Sequence, residues 1–482
     1  MKQAVVVIHG IGEQRPMDTL RGFVEAMIPA DTPDGTPFYW SKPDRLSRNF
    51  DLRVLKSSGR TSTDFYEYYW AHKMQGTKVG HLLGWLWDIF KRPRRDIPEA
   101  IVPIWRTTRW TVMVLLLLIA SGTLATAWGR FDHSDNPFAL VPLLLGAIGL
   151  GLRYSALSYL GDAARYLSPN PQNVVVREQI RADGVALLRA LHNKGDYDRI
   201  IVVGHSLGSV IAYDIVGYLW HEHHDQLTKV IPSNRELASR YADHEPLQPV
   251  VKEALPNAGA ALDGSLSSLL RFREQQAEAF IEQRGLGNPW RITDLVTVGS
   301  PMAHASLLLG RSVSDFKKRI ERREAPACPP TEDTKGYGYN ARQPVMLGQK
   351  PFTPQYLHHA AAFAVTRWTN LYFPAPYGLF GDIVGGPVKP VMGAGVLDLP
   401  VTVGTWKGWL ARSWLSHTRY WSERGGAQGY LGTLTQDENA ITHGPRPSAT
   451  EALRWAVDLK GLRRFRSAGA KATLAPASAQ EA

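Results

Sequence analysis

The chain is nearly without cysteine. Cys328, in APACPP, is the only one, which excludes a disulfide framework and a cysteine-based metal site and fits a reducing compartment. It opens MKQAVVVIHG, with one lysine and a short apolar run before His9; the charge, length and cleavage site of a signal peptide are missing, so these residues belong to the fold. No repeat of fixed period occurs. A formal net charge of +11 raises nucleic acid as a partner. Yet there is no interleaving of aromatic and basic residues, and no zinc-finger, helix-turn-helix or RNA-platform pattern, so no nucleic-acid partner is expected.

The basic residues instead precede the most apolar part of the sequence. From Lys91 to Arg109 there are six basic and two acidic residues. Twenty uncharged residues follow, WTVMVLLLLIASGTLATAWG, with Trp110 and Trp128 near the ends. That is long enough to cross a bilayer, and tryptophans suit both interfaces. A second uncharged segment covers the seventeen residues from Asn136 to Leu152, near the lower limit unless Arg153 snorkels. A basic flank attracts anionic lipid, so a lipid membrane is the expected partner. The alternative is a buried helical hairpin in a cap.

Topology favours two spans. If AVVVIHG and IIVVG belong to one sheet, both lie on the same side of the membrane and the number of crossings is even. The loop GRFDHSDN carries one basic and two acidic residues against the basic flank before it, which puts the catalytic parts in the cytoplasm, on the inner membrane. The expected organisation is a core part over 1–100, a hairpin over 105–160 with helices at 110–128 and 137–157, the rest of the core over 165–462, and a disordered tail over 463–482.

The richest stretch is IIVVGHSLGSV, residues 200–210. Ile200 to Val203 suit a buried parallel strand, and helical character resumes at Ser209. Ser206 therefore sits at a strand-to-helix turn, where a side chain at Gly204 or Gly208 would collide. This is the G-x-S-x-G nucleophile elbow, here with His205. A serine hydroxyl needs a histidine to take its proton, and that histidine needs a carboxylate. In this architecture the order is serine, acid, histidine. Asp382, in the Gly-rich LFGDIVGG after the strand RWTNLYF, is preferred as acid over Asp398 and Asp294. His417 in WLSHTRYW is preferred as base over His443. His358 and His359 precede Asp382 and would break the order. The oxyanion needs backbone donors, expected from Leu207 and, in the HGIG loop, from Ile11; Gly10 and Gly12 leave that backbone free to approach, and His9 is expected to pack within the loop.

Other strands are expected at TDFYEYYWA, DLVTVGSP and RWTNLYFP, and a helix over NVVVREQIRADGVALLRALHNKG; this alternation implies a mainly parallel sheet flanked by helices. HEHHD at 221–225 puts His221, His224 and Asp225 on one helical face, but it reads as the polar end of a helix with no matching ligands nearby, so no metal and no cofactor is expected. YLHHAAAF at 356–363 reads as an amphipathic helix.

Together, VVVIHGIG, GHSLGS, WTNLYFP with GDIVGG, and SHTRYW resemble the α/β-hydrolase superfamily, its serine esterases and lipases, over roughly residues 3–75 and 170–425. The resemblance implies Ser206 as nucleophile, Asp382 as acid, His417 as base and an oxyanion hole from Ile11 and Leu207. The chain starts at what resembles the superfamily's third strand, so the two leading strands are absent or replaced. The implied activity is hydrolysis of a carboxylic ester of an apolar or lipid substrate through an acyl-enzyme. The same triad would serve an acyltransferase or thioesterase, and a non-catalytic membrane scaffold could retain the fold.

Overall fold

The computed structural model describes residues 2–11, 15–28, 39–74 apart from 48 and 58–60, 92–97, six positions between 102 and 113, 166–167, 171–243, 262–332 apart from 263, 337–340, 344–375, 381–402 apart from 383, 414–422 and 446–465. Eight strands form one sheet: β1 (Lys2–Ile8), β2 (Trp40–Pro43), β3 (Arg53–Ser57), β4 (Ser62–Tyr68), β5 (Arg199–His205), β6 (Ile292–Val298), β7 (Arg367–Tyr372) and β8 (Leu397–Pro400), in the order β8-β7-β6-β5-β1-β4-β3-β2. From β4 to β8 every pairing is parallel; β3 runs antiparallel to both β4 and β2.

The two central strands show why. Ala4 to Ile8 and Ile200 to Val203 are fully buried, as continuous apolar strands covered on both faces must be. Helices among the described residues include α1 (Asp18–Met27), α2 (Pro171–Asn193), α3 (Leu207–Ser233), α4 (Leu266–Gly285), α5 (Val313–Glu321) and α6 (Ala449–Val457). α2 packs along α3, and α1 against α6. The lone Cys328 is buried without a disulfide partner, and burial pushes its thiol up to about 12.

Pairing registers level the strand ends that matter. Ile8 lies opposite Gly204, and His205 opposite Val298, so the loops leaving β1, β5 and β6 emerge side by side. Ligands of open parallel sheets bind at this carboxyl edge.

Some elements differ from the reading of the sequence. YLHHAAAF is not a helix: Gln355–Leu357 is a short strand, and a 3-10 turn covers Ala362–Ala364. β2, β3 and β8 carried no legible signal. Residues 463–465 still belong to the fold, since Gly461–Phe465 forms a 3-10 turn and Phe465 is buried beneath Arg199 and Arg367. The two apolar segments at 110–128 and 137–157 lie outside the described residues apart from Trp110 and Met113, and no helix among the described residues is long and apolar enough to cross a membrane.

Candidate active site

Ser206 is the turn between β5 and α3, with φ 53° and ψ −129°. A non-glycine residue at positive φ stores strain of about 1–3 kcal/mol and persists only where its surroundings impose it. Those surroundings are visible. The Ser206 amide donates to the Val298 carbonyl at 2.9 Å, and the Ser209 amide donates to the Ser206 carbonyl at 2.9 Å. A Cβ on Gly208 would fall 2.3 Å from the His9 carbonyl oxygen, and one on Gly204 2.5 Å from the Ser209 Cα, so neither position tolerates a side chain.

The structure brings Ser206, His417 and Asp382 together. The Ser206 Oγ is 2.7 Å from His417 Nε2, and His417 Nδ1 is 2.9 Å from Asp382 Oδ2. With Nδ1 donating to the carboxylate, Nε2 is free to accept the serine proton. His417 lies in the 3-10 turn Trp414–Thr418, its side chain 14% exposed, while Asp382 is fully buried.

A carboxylate in so dry a place must be held ionised. Burial works to raise Asp382, but the imidazole beside it and hydrogen bonds from His417, the Gly385 amide and Tyr420 outweigh that and keep it below the ordinary carboxylate range. The Val384 and Gly385 amides both donate to Oδ1 at 2.9 Å, and the Tyr420 hydroxyl donates to Oδ2 at 2.7 Å. The Tyr420 oxygen in turn accepts from the Phe373 amide at 3.0 Å, which ties the acid to the end of β7. The amides of Val384 and Gly385 thus point back at the aspartate of their own loop.

The other candidate acids stand elsewhere. Asp398 lies in β8 and accepts from Asn370 and from the Val388 and Lys389 amides; burial raises it to about 6. Asp294, near the start of β6, pairs with Arg199 and Arg367 at the opposite end of the sheet. His443 falls outside the described residues, and His358 spends its ring on Thr331 and Ala360.

The HGIG loop reaches Ser206. A Cβ on Gly10 would lie 2.9 Å from the Ser206 Cβ, so the backbone leading to Ile11 lies directly against the elbow. Leu207 is the first residue of α3, where the helix presents unsatisfied N–H groups. Gly12 lies outside the described residues. His9 is fully buried, stacks on Trp70 with ring centroids 4.9 Å apart, accepts the Trp70 amide at Nε2 and donates from Nδ1 to the Gly10 carbonyl. Burial pushes it down to about 4, so it is a neutral strut for the loop.

Two supporting residues were not assigned these roles from the sequence. Tyr420 carries no signal of its own within SHTRYW. His205 was read as motif, yet its Nε2 donates to the His417 carbonyl at 2.9 Å and its ring lies 5.1 Å from that of His417. Burial first and the neighbouring His417 second push His205 down to about 3. It is therefore a neutral donor that fixes the backbone of His417. Compared with protein-family profiles, with curated proteins and with solved structures, the chain matches none.

Proposed function

We propose that this chain is a serine hydrolase of the α/β-hydrolase type that cleaves carboxylic esters of apolar or lipid substrates. The observation that carries the reading is the unbroken path from Ser206 Oγ through His417 to Asp382, at 2.7 and 2.9 Å. In this mechanism the serine oxygen attacks the ester carbonyl carbon as its proton passes to His417 Nε2, and Asp382 stabilises the imidazolium. The amides of Leu207 and Ile11 receive the oxyanion. Collapse breaks the bond to the alcohol, which leaves with the proton from His417. Water then attacks the acyl-serine, giving one proton to His417; the carboxylic acid departs and the serine regains its hydrogen. The chemistry calls for no metal or cofactor.

The sheet order supports the fold assignment. The oxyanion loop follows β1, in the position of the superfamily's third strand. β2 and β3, which follow α1 in the chain, extend the sheet beyond β4. A non-catalytic scaffold would have no use for Ser206 at positive φ, and that strain favours an enzyme.

Membrane anchoring at the cytoplasmic face, through the segments at 110–128 and 137–157, belongs to the same proposal. Trp110 and Met113, at the entry to the first segment, are 62% and 44% exposed, which suits a chain leaving the core. An anchored site meets a substrate dissolved in the bilayer without crossing water. The test is hydrolysis of p-nitrophenyl esters of increasing acyl length, with and without detergent micelles. Turnover that rises sharply above the micelle threshold and disappears in Ser206→Ala is expected; preference for short soluble esters overturns the lipid assignment, and activity retained in Ser206→Ala overturns the hydrolase.

A further inference from the structure

About 22 Å along α3 from the nucleophile, at the helix rise of 1.5 Å per residue, the segment HEHHD meets a partner that the sequence did not reveal. His221, His224 and Asp225 occupy positions i, i+3 and i+4 of the helix, and one ligand atom from each lies within 4.8 Å of the others. The turn after Gln355–Leu357 brings a third imidazole, His359, against them: its ring centroid is 5.9 Å from that of His221 and 6.3 Å from that of His224, while those two are 6.4 Å apart. We propose that His221, His224, His359 and Asp225 form a binding site for one divalent zinc-type ion.

The geometry is close to what coordination demands. Zinc bound at about 2.0–2.1 Å to three imidazole nitrogens sets the ring centroids about 5 Å apart, against 5.9, 6.3 and 6.4 Å here. Two of the contacts already converge on the carboxylate: Asp225 Oδ1 is 3.3 Å from His224 Nδ1, and Oδ2 is 3.8 Å from His221 Nε2. Three nitrogens and one oxygen make a four-ligand set suited to zinc. His359 is also hydrogen-bonded to the backbone of Arg323, the outer support that fixes a ligating ring and leaves its second nitrogen for the ion. His221 and His359 also line a cavity of about 270 Å³ that gives an ion a way in.

The cluster joins α3, which carries Ser206 at its N-terminal end, to the turn at His359, more than a hundred residues later in the chain. A bound ion would clip that long loop closed and stabilise the fold without touching the reacting atoms. The site stands independently of the proposed hydrolase activity.

The test uses the full chain purified without a histidine tag and stripped with a chelator. Titration with zinc should saturate at one ion per chain and raise the thermal midpoint. His221→Ala and His359→Ala, both at exposed positions, should each weaken zinc binding at least about tenfold and abolish the thermal shift. Absence of saturable binding to the wild type, or equal binding to His359→Ala, overturns the site. If a variant fails to fold, cobalt(II) added to the wild-type chain decides: the absorption of a four-coordinate ion with nitrogen ligands is expected, and the spectrum of the hexahydrated ion overturns the proposal.

Discussion

The two ends of the parallel sheet each bury an aspartate, and they treat it in opposite ways. At the amino end of β6, Asp294 is clamped at 2.6 Å by the guanidinium groups of both Arg199 and Arg367, and Thr293 donates to it as well. At the carboxyl edge, Asp382 receives two backbone amides, a tyrosine hydroxyl and one imidazole. The first arrangement neutralises charge permanently, since arginine does not give up its proton. The second sets the carboxylate against an imidazole whose other nitrogen lies 2.7 Å from the Ser206 Oγ. On the proposed mechanism one end holds still and the other lets a proton move.

Substitutions should separate the two. At the carboxyl edge, Ser206→Ala or His417→Ala should lower kcat by about 10⁶-fold and Asp382→Asn by about 10⁴-fold, measured as ester turnover. The denaturation midpoint of Ser206→Ala should stay near that of the wild type. At the other end Asp294→Ala leaves two buried guanidinium groups facing each other and should cost about 3–5 kcal/mol of stability in a denaturant titration. Activity per folded molecule should persist there. Loss of turnover in fully folded Asp294→Ala would break the contrast.

Acid should undo the two ends in sequence. His9 and His205, with folded values of about 4 and 3, lie below the ordinary 6.5 of an unfolded histidine. Their contribution is whole above pH 6.5 and is lost as pH falls, by about 2 kcal/mol for each at pH 5. Asp294 is held at about 2, chiefly because its two arginines outweigh burial, so its contribution survives until pH falls from about 4 towards 2. Hydrogen exchange followed against pH should show the loops after β1 and β5 opening before the start of β6. The smallest effect on turnover belongs to Tyr420→Phe, which removes the hydrogen bond to Asp382 and the acceptor of the Phe373 amide, and should cost about tenfold in kcat/KM and about 1–3 kcal/mol of stability.

What was legible in the sequence is what local chemistry dictates. Ile200–Val203 suit a buried strand, and the glycines around Ser206 serve a sharp turn, so β5, α3 and the place of Ser206 between them followed. Asp382 and His417 were reachable because serine catalysis requires both partners and their order along the chain restricts the choice. β2 and β3 were not legible, because WSKP is an exposed edge strand with no alternation to read. The roles of Tyr420 and His205 depend on where a hydroxyl and a ring nitrogen point after folding. His359 was misread for a similar reason. YLHHAAAF carries a helical pattern, but tertiary contacts break it into a strand and a turn, and the turn delivers the imidazole to α3.

The central claim is that Asp382 and His417 arm one oxygen, that of Ser206, among all the hydroxyls of the chain. The most direct measurement is to react the folded protein with a fluorophosphonate and locate the adduct by peptide mass spectrometry. The account predicts a single adduct, on Ser206, whose formation slows by orders of magnitude in His417→Ala. An adduct on a different serine, or undiminished labelling of Ser206→Ala, would contradict it.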